Sequence, residues 1–148
     1  MSIFSMPVQI RWSDLDPNFH LRHAVYYDWA AMCRITNLQE KGLTPALMQK
    51  MNFGPIIFRE EAIFRKEVCY NDLISVNLQL IKARRDYSRW TIRQEIIRNN
   101  EIRCAIVTID GAWLNVIDRK LIIPPVEAIH VYELMSLNEN FHGQIRFQ

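Results

Sequence analysis

No stretch of this 148-residue chain approaches the ~20 consecutive apolar residues of a membrane-spanning helix. Met1 to Met6 carry no basic segment followed by a long apolar run, so no secretory signal is expected. Cysteine is scarce. Cys33, Cys69 and Cys104 are scattered, odd in number and lack any Cys-x-x-Cys pair, which speaks against a disulfide framework. They read as small core residues in a reduced, cytoplasmic compartment. A charge excess is missing as well: 18 Lys and Arg against 16 Asp and Glu leave a net charge of +2. That is too small for nucleic acid or an anionic membrane to be the main partner. Internal repeats, low-complexity tracts and linkers are absent, so residues 1–148 read as one domain. Its core is expected over residues 6–135, with a polar tail, 136–148, that is loose or adds a strand. A chain of this length can bury a real core.

What is present is concentrated between Ser13 and Tyr27. Asp14 and Asp16 sit two apart, His20 and His23 three apart, just before a segment that turns almost wholly apolar. A general base, a second polar group and a helix N-terminus can therefore meet in one place, as hydrolysis of an activated acyl group requires.

The period of the apolar residues sets the elements around this motif. Val8, Ile10 and Trp12 alternate with Gln9 and Arg11 and predict a first strand. From Ala24 to Cys33 only Asp28 is charged, which predicts a helix buried nearly all round, ending at Gly42. Pro45 to Met51 suggests a short second helix. Phe58, Ala62, Phe64, Val68 and Tyr70 then predict one long strand ending at the turn Asn71-Asp72. Ile74, Val76, Leu78 and Leu80 alternate with polar residues. Arg84 to Ser88 is a polar turn, Trp90, Ile92 and Ile96 share a strand face, and Asn99-Asn100 marks a hairpin. Ile102 to Ile117 reads as a long strand bulged at Gly111, and Val126 to Met135 as a short helix after Pro124-Pro125. One apolar helix among long antiparallel strands implies an α+β architecture with a sheet wrapped around a single central helix. Its exposed edges favour homodimerisation through an edge strand.

Taken with this order of elements, Asp14-Leu15-Asp16-Pro17 resembles the Asp-x-Asp-x-x-Gly signature of hot-dog fold acyl-CoA thioesterases of the 4-hydroxybenzoyl-CoA thioesterase type. In that family a Tyr follows early in the central helix, where Tyr26 stands, and many members carry a His-Ala pair matching His23-Ala24. The motif is also similar to Asp-x-Asp-x-Asn-x-His-x-x-Asn-x-x-Tyr of acyl-carrier-protein thioesterases, fitted by Asp14, Asp16, Asn18, His20 and Tyr26, with His23 in place of Asn. The resemblance implies a hot-dog fold and thioester hydrolysis with Asp16 as the catalytic carboxylate. The signature glycine is missing. Phe19 stands among Asn18-Phe19-His20 and is expected to crowd the loop.

On this reading Asp16 is general base or nucleophile, and His23 orients the carbonyl or protonates the leaving thiolate. Backbone N–H groups near His23 and Ala24 polarise the thioester oxygen. Asn18 and His20 support the loop, Tyr26 lines the acyl pocket, and Asp14 is scaffold. The resemblance also assigns coenzyme A phosphates to Arg84, Arg85 and Ser88, with Arg59 and Arg65 as weaker candidates; arginine forks suit phosphate. Phe53, Ile56, Ile57, Phe58, Trp29 and Met32 are either an acyl tunnel or simply core. Asp16, His20 and His23 match no standard zinc spacing, so no metal and no cofactor is expected. The expected partner is acyl-CoA or an acyl carrier protein, and a second copy of the chain as a dimer or dimer of dimers. Competing readings are a non-catalytic acyl-binding module and a hot-dog hydratase or dehydratase.

Overall fold

The computed structural model describes residues 2–143. Strands β1 (Phe4–Val8), β2 (Phe53–Phe64), β3 (Ile74–Ala83), β4 (Arg89–Arg98) and β5 (Ile102–Asn115) form an antiparallel path in the order β1-β3-β4-β5-β2. Helix α1 (His23–Glu40) packs against β1, β3 and β5 on the inner face of that sheet. Short helix α2 (Pro45–Lys50) packs on β2, α3 (Val126–Glu133) sets Tyr132 against Trp90 and Trp113, and β6 (Lys120–Leu121) pairs with the end of β5. Five strands around one long helix are the hot-dog arrangement that the motif implied.

Local chemistry explains most boundaries. Gly42 follows α1 with φ 90°, a conformation only glycine takes without strain. At α2, the Thr44 hydroxyl accepts from the Leu47 N–H at 3.1 Å and Pro45 occupies the first turn. Asn99 (φ 54°) and Asn100 (φ 63°) form a tight left-handed hairpin turn between β4 and β5. Val76, Leu78, Leu80, Ile92, Ile96, Val107 and Ile109 fill the core beneath α1. Gln94 is fully buried there, donating to the Ala30 carbonyl at 2.9 Å and accepting from Arg34 at 2.8 Å, which ties helix to sheet.

The structure corrects several sequence expectations. The first strand is Phe4–Val8, paired residue by residue with Leu78–Ile74. Trp12 instead opens a 3₁₀ turn, Trp12–Asp14. The long strand expected to reach Tyr70 starts at Phe53 and stops at Phe64. Gly111 is not itself bulged. The irregularity lies opposite, where Ile57 pairs with Gly111 and Arg59 with Asp110, leaving Phe58 as the extra residue. A Cβ at Gly111 would overlap the Trp90 ring and come within 2.8 Å of the Ile56 carbonyl oxygen. Helix α1 is not enclosed all round: Asp28, Ala31 and Met32 lie on an exposed stripe. The tail forms β7 (Leu137–Gly143), which runs parallel to β3 beyond the end of β1. Residues 144–148 of that tail lie outside the described part.

Candidate functional site

The Asp16 loop is held by its own backbone. Asp16 N–H donates to the His20 carbonyl at 2.8 Å and Phe19 N–H donates to the Asp16 carbonyl at 2.9 Å. The Asp16 Oδ1 accepts from the N–H groups of Asn18 (2.8 Å) and His20 (3.1 Å). Asn18 and His20 therefore fix the carboxylate through main-chain donors. Among the described residues nothing donates to Oδ2, which leaves that oxygen available to a proton or a carbonyl carbon.

Asp14 does different work. It is 1% exposed and takes a backbone bond from Arg11 at 2.9 Å and a guanidinium bond at 2.8 Å. Burial pushes its carboxyl up, but the bonds and charge of Arg11 more than offset this and hold it below the usual carboxylate range. Its carbonyl accepts from Arg22 N–H at 2.7 Å, one residue before α1. Asp14 thus sets where the helix begins. Arg22 supplies no side-chain cap, so the first N–H groups of α1, at His23 and Ala24, have no partner within the helix.

Leu21 N–H donates to the Val68 carbonyl at 2.8 Å, and His20 pairs with Cys69 as an isolated bridge. This brings the segment after β2 alongside the Asp16 loop and closes a cleft of about 370 Å³. The cleft gathers Asp16, His20, His23 and Tyr26 with Leu21 and Phe64. Arg65, Lys66 and Glu67 complete its rim. His20 Nε2 lies 3.1 Å from Glu67 Oε2. Tyr26 is buried and meets Phe64 edge-on, with ring centroids 5.0 Å apart. Burial, then the nearby Cys104, Asp16 and Cys69, push its phenol up to about 12, so it stays a hydrogen-bond donor.

Lys66 and Glu67 escaped sequence reading because nothing local relates residues 65–67 to residue 16; the Leu21–Val68 hydrogen bond and the His20–Cys69 bridge do. Phe19 does not crowd the cleft. It is 63% exposed and leans on Trp12, with centroids 6.2 Å apart. Its φ of 64° shows why the family signature places glycine here. Arg84, Arg85 and Ser88 lie elsewhere in the chain. The Phe64 end of the cleft pairs with Ala105, whereas Arg89 pairs with Ala112. The separation is about 23 Å along β5 at ~3.3 Å per residue. Ser88 Oγ donates to Asp86 Oδ1 at 2.6 Å.

The expected tunnel residues divide. Phe53 and Trp29 are core, Phe58 and Met32 are exposed, and Ile57 lines a separate cavity. His20, Glu67 and Cys69 bring three potential metal-ligand atoms within 4.8 Å of one another. That is one donor short of a closed zinc site, and no described residue supplies a fourth.

Solved structures share the fold. A DHNA-CoA thioesterase from Staphylococcus aureus superposes with TM-score 0.79 at 16% identity, covering 90% of each chain. Slr0204, a 1,4-dihydroxy-2-naphthoyl-CoA thioesterase from Synechocystis, gives 0.79 at 14% identity, over 90% of this chain and 97% of its own. The hypothetical protein SAV2348 from Staphylococcus aureus, solved with CoA, gives 0.79 at 15%, over 99% and 96%. Comparison with curated proteins gives no match. The Thioesterase-like superfamily profile matches residues 10–131. That span takes in the Asp16 loop, all of α1 and strands β2 to β5, and it makes the chain a member of the thioesterase-like superfamily with a hot-dog fold.

Proposed function

We propose that this chain hydrolyses an acyl-CoA thioester, fatty or aryl, to the free acid and thiol. The observation that carries the reading is the Asp16 carboxylate: one oxygen fixed by two main-chain donors and the other unengaged, in a cleft beside the start of α1. In the base route Asp16 takes a proton from water, the water oxygen bonds to the carbonyl carbon, and the C–S bond breaks. In the nucleophilic route Asp16 forms a mixed anhydride that water then opens. In either, the carbonyl oxygen draws on the free N–H groups of His23 and Ala24. The departing thiolate takes its proton from the His23 side. The Tyr26 hydroxyl donates within the cleft, and Asn18 and His20 act as positioning residues.

Arg65 and Lys66 on the rim suit the phosphates of coenzyme A, the ligand found with SAV2348. The same pair suits an acidic acyl carrier protein, the second reading. A homodimer formed at the edge strand β2 would cover the exposed Phe58, Ile63 and Phe64. It would also let Arg84, Arg85 and Ser88 serve the partner's cleft, which they do not reach in their own chain.

The deciding experiment is thiol release from short, medium, long and aromatic acyl-CoAs and matched acyl carrier proteins, with light scattering on the same sample. Release from at least one thioester by a dimer is expected. Silence across the panel sinks the enzyme reading and favours an acyl-binding module. Label found in Asp16 after a single turnover in ¹⁸O-water establishes the anhydride route, with water opening it at the Asp16 carbonyl carbon; label confined to the acid product fits the base route or opening at the acyl carbon.

A further inference from the structure

The His20 imidazole, the Glu67 carboxylate and the Cys69 thiol stand together at the rim of the Asp16 cleft. None of the three is used by the hydrolysis, since His20 fixes Asp16 through its main chain. A potential ligand atom of each lies within 4.8 Å of the other two. His20 Nε2 is already 3.1 Å from Glu67 Oε2.

The backbone explains why they meet. His20 and Cys69 face one another in an isolated antiparallel bridge, and side chains opposed in that way start about 4.5–5.5 Å apart. Glu67 stands two residues before Cys69, the spacing that returns a side chain to the same face of an extended segment. The frame is pinned on both sides: Leu21 N–H donates to the Val68 carbonyl at 2.8 Å and Cys69 N–H donates to Asp72 Oδ2 at 2.8 Å. Cys69 also differs from the other cysteines. Cys33 and Cys104 are buried, and their thiols donate to main-chain carbonyls. The Cys69 thiol is half-buried and donates to no carbonyl among the described residues.

Donor type and reach both point to one class of ion. Imidazole and thiolate beside a carboxylate suit zinc, whereas magnesium and calcium take oxygen ligands. Zinc bonds of about 2.0–2.3 Å at a tetrahedral centre set ligand atoms roughly 3.4–3.6 Å apart. Even the widest separation here need close by only roughly 1.4 Å. The His20 and Glu67 side chains are 41% and 59% exposed, so both have room to turn. As a bare surface ion pair they would contribute little; the thiol makes the set a ligand group.

We propose that His20, Glu67 and Cys69 bind a zinc-class divalent ion through three protein ligands, with a fourth position open at the cleft rim. Binding requires nothing of the thioesterase reading. Its consequence rests on that reading: the open position is offered to the thiol product beside Asp16, so added zinc should lower turnover.

The test titrates the untagged, reduced full chain with Co²⁺ as a spectroscopic stand-in, then displaces it with Zn²⁺. A near-ultraviolet thiolate-to-cobalt charge-transfer band is expected, saturating at a single equivalent, resistant to excess Mg²⁺ and erased by Zn²⁺. Cys69→Ser should abolish the band, and Cys33→Ala should keep it. Glu67→Gln and His20→Gln should each weaken calorimetric Zn²⁺ binding by about tenfold or more. A wild-type chain without the band overturns the proposal, and that arm depends on no variant folding. A band that survives Cys69→Ser, or Zn²⁺ affinity unchanged in both Glu67→Gln and His20→Gln, overturns it as well. Hydrolysis that zinc leaves untouched, with the band present, removes the inhibitory consequence alone. If no thioester is hydrolysed, the thioesterase reading falls, and the cobalt and zinc titrations still decide the metal site.

Discussion

Asp16 and His20 hold one another through main-chain groups: His20 N–H donates to Asp16 Oδ1 at 3.1 Å, and Asp16 N–H donates to the His20 carbonyl at 2.8 Å. The catalytic candidate is thus oriented by backbone, which side-chain substitution at His20 cannot remove.

Asp16→Asn preserves an oxygen for those donors, so the loop and the melting temperature should hold. Removing a positioned base or nucleophile should still lower kcat by about 100-fold or more. Asp16→Ala should lose the same activity and, by giving up two hydrogen bonds to N–H groups that water can reach, about 0.5–1.5 kcal/mol of stability. Wild-type turnover in Asp16→Asn would show that another group performs the chemistry.

Asp14→Asn should destabilise the fold at neutral pH by about 1–3 kcal/mol, because the buried carboxylate accepts two charge-assisted bonds from Arg11. The Asp14 carboxyl is held below its ordinary value in the fold. Its contribution is therefore complete above the unfolded value of about 3.9 and disappears as pH falls through the lower folded value. Urea melts of wild type and variant should differ at pH 7 and converge in strong acid. Parallel curves down to the acid limit would remove Asp14 from this role.

Phe19→Asn should leave hydrolysis unchanged and stability equal or slightly higher. Asparagine tolerates the left-handed φ of 64° that strains phenylalanine, and the lost contact with Trp12 is mostly exposed. A drop in kcat/KM on the thioester panel would instead give the exposed aromatic group a part in binding.

Gly111→Ala should cost about 1–3 kcal/mol by overpacking, since the new methyl meets the Trp90 ring and the Ile56 carbonyl. Gly54→Ala is the control. Nothing stands within 4 Å of the place its methyl would take, and stability there should hold or rise slightly. Equal thermal shifts for the two would contradict the close approach of β5 to Trp90.

Strands β3 and β4 and their hairpin neighbours were legible because alternation and Asn-Asn turns are local signals, carried by Ile74 to Leu80 and by Asn99-Asn100. The entry of α1 was legible for the same reason. The start of β1 was not, since Val8–Trp12 alternates as well as Phe4–Val8 does, and only pairing with β3 chooses between them.

The sequence by itself determined the α+β class, the single wrapped helix and the Asp16–Tyr26 motif, because apolar period and short polar spacings are written along the chain. Tertiary structure alone decided which distant groups share the cleft. Lys66 and Glu67 reach Asp16 through the Leu21–Val68 hydrogen bond. Arg84 and Arg85 stand a strand's length away, and Phe19 turns outward on a left-handed backbone. These are consequences of register and backbone conformation, which contacts between distant segments fix and no local pattern encodes.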